Sequence, residues 1–106
     1  MIAKTPNPPY FAVIFTSIRT EIKTGYSEAA ELMLGLANQQ EGFLGVESAR
    51  NDIGITVSYW KDLESIRKWK LHTEHLIAQD KGKAQWYRHY KIRICQVERD
   101  YQFDKI

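Results

Sequence analysis

The sequence predicts a single α+β domain whose elements run strand, helix, strand, strand, helix, strand. Three observations carry that expectation. Tyr10 to Ile18 is a β-branched and aromatic run with apolar residues in both alternating sets. Tyr26 to Gln40 repeats its apolar residues at helical spacing. Phe43 to Trp60 divides at Asn51-Asp52 into two strand-like runs joined by a turn. A chain of 106 residues builds one modest hydrophobic core and is too short for two.

Taken in order, residues 1–9 hold three prolines and read as a lead-in, because proline cannot donate and biases its neighbours to extended geometry. In the first strand Phe11, Val13 and Phe15 form one set, and Tyr10, Ala12, Ile14 and Ile18 the other, so both faces are covered. The first helix places Ala30, Met33 and Ala37 on one face, with Ala29, Leu32 and Leu36 beside it. Glu41-Gly42 stops it, and Phe43 to Ala49 and Ile53 to Trp60 make a hairpin. Ile53, Ile55, Val57 and Tyr59 alternate with Gly54, Thr56, Ser58 and Trp60, giving one greasy face and one with small or polar groups. Asp62 caps a helix containing Leu63, Ile66, Arg67 and Trp69, whose character continues from His72 to Asp80 before Lys81-Gly82-Lys83 interrupts it. Tyr90 to Val97 is the last strand. The domain spans 10–98 and residues 99–106 form an aromatic tail.

This order is the split βαβ arrangement of a ferredoxin-like α+β sandwich. Two helices cover one sheet face, yet the first strand is apolar on both sides. A second subunit is the simplest cover, so a homodimer is expected.

Composition narrows the function classes. Hydrophobic residues at 43% and charged residues at 26% are ordinary globular usage. A net charge of +2, with Lys and Arg dispersed, gives no basic stripe for nucleic acid. Cys95 is the only cysteine, which rules out an intrachain disulfide or a multi-cysteine zinc site and fits a reducing, cytoplasmic compartment. The start has no signal-peptide stretch, and no apolar run approaches the roughly 18 residues of a membrane span.

The early strand FAVIFTSIRT, the helix ending NQQEGFLGVES, the strand ITVSYW and the helix ESIRKWKLHTEH together resemble the antibiotic biosynthesis monooxygenase (ABM) family. The likeness spans about Tyr10 to Val97. It implies a dimeric α+β barrel with a ligand cavity in each subunit between sheet and helices. That family includes cofactor-independent monooxygenases of quinol-type substrates, haem-degrading monooxygenases and members without an assigned activity. The haem-degrading set is an Asn on the first strand, a Trp on the second helix and a His ten residues later. Trp69 matches, but Thr16-Ser17 and Gln79 stand at the other two places, so haem is disfavoured and no cofactor is expected.

Candidate site residues follow. Trp69 supplies a flat pocket wall or a core anchor. His72 and His75, three apart on one helix, are candidate catalytic bases because histidine titrates near neutral pH. They would form a metal clip only if His89 or Glu74 joined them, and no metal is expected. Tyr59, Trp60, Trp86, Tyr87 and Tyr90 suit stacking on a flat ligand. Ser17, Thr56 and Ser58 offer hydroxyls and leave room above the sheet. Cys95 is expected to be buried packing. The expected function is a cofactor-independent ABM-type monooxygenase acting on a small aromatic or quinol-like compound. The alternatives are haem binding or degradation, and a non-catalytic dimeric module that binds a small apolar molecule.

Overall fold

The structure, a computed structural model, describes residues 1–79 and 85–105, with side chains described outside 75–79. Six elements appear in the expected order: β1 (Tyr10–Arg19), α1 (Tyr26–Asn38), β2 (Phe43–Arg50), β3 (Gly54–Trp60), α2 (Leu63–Gln79) and β4 (Tyr87–Val97). The strands form one sheet in the order β2-β3-β1-β4, every neighbouring pair antiparallel. With the two helices this is a ferredoxin-like α+β fold.

Alternation assigns the two faces. Trp60 pairs with Phe11, Ser58 with Val13 and Thr56 with Phe15. The Trp60 ring lies 5.7 Å from Trp69 of α2, so this is the helix-facing side. The other side carries Ala12, Ile14, Thr16 and Ile18 of β1 against Tyr59, Val57 and Ile55 of β3. The greasy face of β3 is therefore the one the helices leave open. Ile18, Ile53 and Ile55 are 39%, 51% and 45% exposed there. Cys95, expected to be buried, is exposed because it sits opposite Ala12 on the open side of an edge strand.

Trp60, fully buried, anchors the helix-facing layer between Phe43, 5.2 Å away, and Trp69. Its indole N–H donates to Ser58 Oγ at 2.9 Å, which removes the cost of burying that donor. Ile66 of α2 and Ala37 of α1 are buried alongside. The stripe on α1 is narrower than the sequence suggests: Ala29, Met33 and Leu36 are half-buried with Ala37, whereas Ala30 and Leu32 face outward.

The expected cap is present, with the Ser65 N–H donating to Asp62 Oδ1 at 2.8 Å. Ser65 also holds the Asp62 carboxyl below its usual range, through its hydroxyl and then its amide. α2 continues unbroken through His72 to Gln79. The expected interruption at 81–83 lies outside the described residues. At the α1–β2 junction Gly42 has φ +87°, and its carbonyl accepts from the Lys61 N–H at 2.7 Å.

β4 starts at Tyr87, three residues before the expected Tyr90. The register to β1 shifts there: Ile18 pairs with His89 and Arg19 with Tyr87. The extra residue, Arg88, makes a bulge that the sequence pattern does not announce. The lead-in and the tail meet over one end of the open face. The Ala3 N–H donates to Glu47 Oε2 at 2.9 Å, and the Thr5 hydroxyl donates to the Tyr10 hydroxyl at 3.0 Å. That tyrosine donates in turn to Asp100. No described helix is long and apolar enough to cross a membrane.

Candidate functional site

The helix-facing side has two parts. At the Trp60 end the aromatic rings are packed together. At the other end, where β1 finishes and β4 starts, rings and cations meet on a partly exposed surface.

In the packed part the expected hydroxyls already have partners. Ser58 accepts from Trp60, and Thr56 shares a 3.0 Å hydrogen bond with Ser48. His72 stacks on Trp69 with ring centroids 5.7 Å apart and 26° between planes. Its Nε2 is buried and has no hydrogen-bond partner. His75 lies in α2, but its side chain is outside the described ones. His89 pairs with Ile18 on the open face, so the sheet separates it from His72. Glu74 is exposed and 3.9 Å from Lys70. The described residues contain no cluster of three ligand-type side chains.

The open part is built by the bulge. Tyr87 and Tyr90, three apart, would face opposite ways in a regular strand, yet both reach Phe15, at 5.4 and 5.2 Å between centroids. Tyr26, the first residue of α1, sets its ring edge-on to Tyr87 at 6.2 Å and to Trp86 at 5.7 Å. Trp86 donates its indole N–H to the Thr24 carbonyl at 2.9 Å. It is buried and pins the start of α1. Ile92 and Ile94, about half exposed, continue the helix-facing side of β4.

Two arginines border these rings. The Arg19 guanidinium carbon lies 3.5 Å above the centre of the Tyr26 ring, a cation–π contact. Arg50 reaches across β3 and donates to Ser17 Oγ at 2.5 Å. Ser17 is 1% exposed. Gly54 makes that crossing feasible, since a Cβ there would overlap the Arg50 guanidinium. Burial, and then the neighbouring Tyr26 hydroxyl, push the Tyr87 phenol far above its ordinary range, opposed by Arg50 and Arg19. Tyr87 therefore stays a neutral donor at physiological pH.

Of the expected pocket residues, Ser17, Thr56, Ser58, Trp60 and Trp69 share the helix-facing side, and Trp86 closes one end of it. Tyr59 does not join them. Alternation turns it to the open face, where its ring meets Tyr10 edge-on at 5.9 Å and its hydroxyl donates to Glu47 at 2.7 Å. On that face a hollow of about 170 Å³ is lined by Ile18, Ile53, His89, Lys91 and Arg93 among others. The sequence reading passed over Arg19, Arg50 and Tyr26. The available signal was an arginine directly before the hairpin turn with glycine four residues on.

The chain is 50% identical over 106 residues to YqjZ of Bacillus subtilis, an uncharacterised protein, covering 98% of this chain and 93% of the other. The chain belongs to the family of YqjZ. No family model matches it. Among solved structures, the YqjZ-family chain superposes on SnoaB of Streptomyces nogalater, a cofactor-independent oxygenase, with a TM-score of 0.69 at 9% identity. That match covers 86% of this chain and 95% of SnoaB. A Nitrosomonas europaea protein provisionally assigned as an antibiotic biosynthesis monooxygenase gives 0.64 at 14% identity, covering 87% and 92%. A Nitrosomonas europaea protein of unknown function gives 0.68 at 12% identity, covering 94% and 100%. This member of the YqjZ family has the fold of the antibiotic biosynthesis monooxygenases.

The residues do not fit the haem-degrading set. Trp69 has its ring engaged by Trp60 and His72. Ser17 is buried under Arg50, and Thr16 faces the other side of the sheet.

Proposed function

We propose that this YqjZ-family protein is a cofactor-independent monooxygenase of the ABM type. It would hold a flat, electron-rich aromatic or quinol-like compound in the cleft between sheet and helices. The observation that carries the reading is the ring set Phe15, Tyr26, Tyr87 and Tyr90, converging on the helix-facing side of a fold shared with a cofactor-independent oxygenase. At 5–6 Å between centroids these rings pack on one another, so a flat ligand would lie against their outward side, where Tyr90 is half exposed.

In such chemistry the substrate itself reduces oxygen. A CH₂ flanked by aromatic rings loses a proton and its carbanion reacts with O₂. One oxygen atom ends as the new carbonyl and the other leaves as water, so all electrons come from the substrate. The protein's part is to orient the ring, exclude water and stabilise the developing anion. Arg19, Arg50 and the neutral Tyr87 hydroxyl stand where an anion on the ring would be stabilised. His72, stacked on Trp69 in the packed part with its Nε2 unpartnered, is the candidate for proton removal, and the reacting carbon would have to extend beyond the ring set to that end of the helix-facing side.

The open face supports a homodimer as part of this proposal. Ile18, Ile53 and Ile55 form an exposed apolar surface beside His89, Lys91 and Arg93, with Glu47 and Asp100 towards the far end. A second copy packed antiparallel across a two-fold axis covers the isoleucines and brings unlike charges together.

The test is oxygen uptake with 1,8-dihydroxyanthrone in the presence of catalase, with ¹⁸O₂ labelling of the product. Saturable uptake above autoxidation, with one labelled oxygen in the new carbonyl, supports the reading. Tight binding of the anthrone without added uptake overturns it in favour of a non-catalytic binding module.

A further inference from the structure

We infer that Arg19 and Arg50 form an anion-binding end to the aromatic cleft, specific for a carboxylate carried on a flat ring. The inference deepens the proposed function by naming the class of ligand, an aromatic carboxylate, but it also stands without catalysis.

Both guanidiniums are committed in position and uncompensated in charge. Arg50 is held over Gly54 by its bond to Ser17, and among the described residues that is its one side-chain hydrogen bond. Arg19 is fixed over the Tyr26 ring, and its single hydrogen bond among the described residues runs from Nη2 to the Ile22 carbonyl at 3.3 Å. Its Nε is buried with no partner, an N–H donor left without an acceptor. Among the described residues, no carboxylate comes within 4.0 Å of either guanidinium.

Against the burial that raises the Tyr87 phenol, Arg50 and Arg19 both draw it down, so a positive field acts at this end of the helix-facing side. A bound carboxylate would answer that field, and guanidinium groups match its two oxygens geometrically. Phe15, Tyr87 and Tyr90 adjoin the cations on the same side of the sheet. An acid group bound by the arginines therefore leads into rings that stack on its aromatic body. A small inorganic anion would satisfy the cations and leave those rings uncovered.

The experiment measures binding of 2-naphthoate and of neutral 2-naphthamide to the full chain by isothermal titration calorimetry. The inference expects naphthoate to bind at least tenfold more tightly, with the ratio shrinking between 50 and 500 mM salt (on the order of a charge-assisted pair). Arg50→Gln and Arg19→Gln each reduce the ratio at least threefold, the loss falling on naphthoate more than on naphthamide. Gly54→Ala keeps the charge but displaces the Arg50 guanidinium, and reduces the ratio as Arg50→Gln does. Far-UV circular dichroism and thermal midpoints establish that each variant is folded. Equal binding of the two probes, absence of saturable binding, or a ratio untouched in folded Arg50→Gln and Arg19→Gln overturns the inference. Oxygen uptake with the neutral anthrone is read separately, so failure of the monooxygenase reading leaves a carboxylate preference visible.

Discussion

A Cβ placed on Gly42 would overlap the Ser65 hydroxyl and come within 2.8 Å of the Ser65 Cβ. This close approach joins the end of α1 to the first turn of α2, and Gly42 holds φ +87° to make it. Gly42→Ala therefore meets backbone strain and a clash together, for a loss of about 2–4 kcal/mol in urea unfolding. Adding Ser65→Gly restores part of that loss, the clash but not the strain. Strict additivity in the double variant would count against direct contact.

Trp60 is the fully buried centre of the helix-facing layer, between Phe43 and Trp69. Trp60→Ala is expected to cost about 3–5 kcal/mol, enough to consume most of the stability of a small domain. Trp60→Phe keeps the edge-on contact with Phe43 and costs less. Chemical denaturation followed by circular dichroism checks the order of the two variants.

His72 buries an unpartnered Nε2 against Trp69. Replacing a buried polar ring by an apolar one of similar shape removes a desolvation cost. His72→Phe is accordingly expected to keep or raise the thermal midpoint. If His72 is the base of the proposed oxygenation, the same variant lowers the turnover number with 1,8-dihydroxyanthrone about 10²-fold or more. Unchanged turnover in the folded variant would remove His72 from that role.

Burial, with the Glu47 carboxylate next, pushes the Tyr59 phenol up to about 12. Its contribution to stability is whole below the ordinary tyrosine range near 10 and is lost as pH rises through about 12. Glu47 is shifted the other way, held low by Tyr59 and by the Ala3 amide, so its contribution is lost in acid. Tyrosinate absorbance should show late-titrating phenols, and Glu47→Gln should bring one of them partway back. A single titration step near 10 for every tyrosine would contradict this account.

The exposed isoleucines of the open face give the dimer its test. Ile55→Glu places a charge in the middle of the proposed contact, and light scattering should move from about twice the chain mass to the chain mass. A wild-type protein that is monomeric at 100 μM would end the dimer proposal.

Much of the fold was readable from period alone. Alternation in Tyr10 to Ile18 and in Ile53 to Trp60, helical spacing in Tyr26 to Gln40, and Asp62 as a cap are local signals that the tertiary structure leaves intact. The site was less readable. Trp60, Trp69, Ser17, Thr56 and Ser58 share a side because strand parity fixes them, and the same parity sends Tyr59 to the other side. The sequence reading grouped Tyr59 with them on ring chemistry. Arg50 carried only a weak signal, the glycine four residues on, since an arginine beside a hairpin turn ordinarily points to solvent.

The sequence by itself determined the element order, the two unlike faces of β3 and the apolar character of both sides of β1. These depend on periodicity and composition, which act within a few residues. The tertiary structure decided which face the helices take, where β4 begins and which cations meet which rings. Those outcomes depend on contacts between residues distant in the chain: Trp69 against Trp60 chooses the covered face, the extra residue at Arg88 turns Tyr87 towards Phe15, and the missing side chain of Gly54 lets Arg50 reach Ser17.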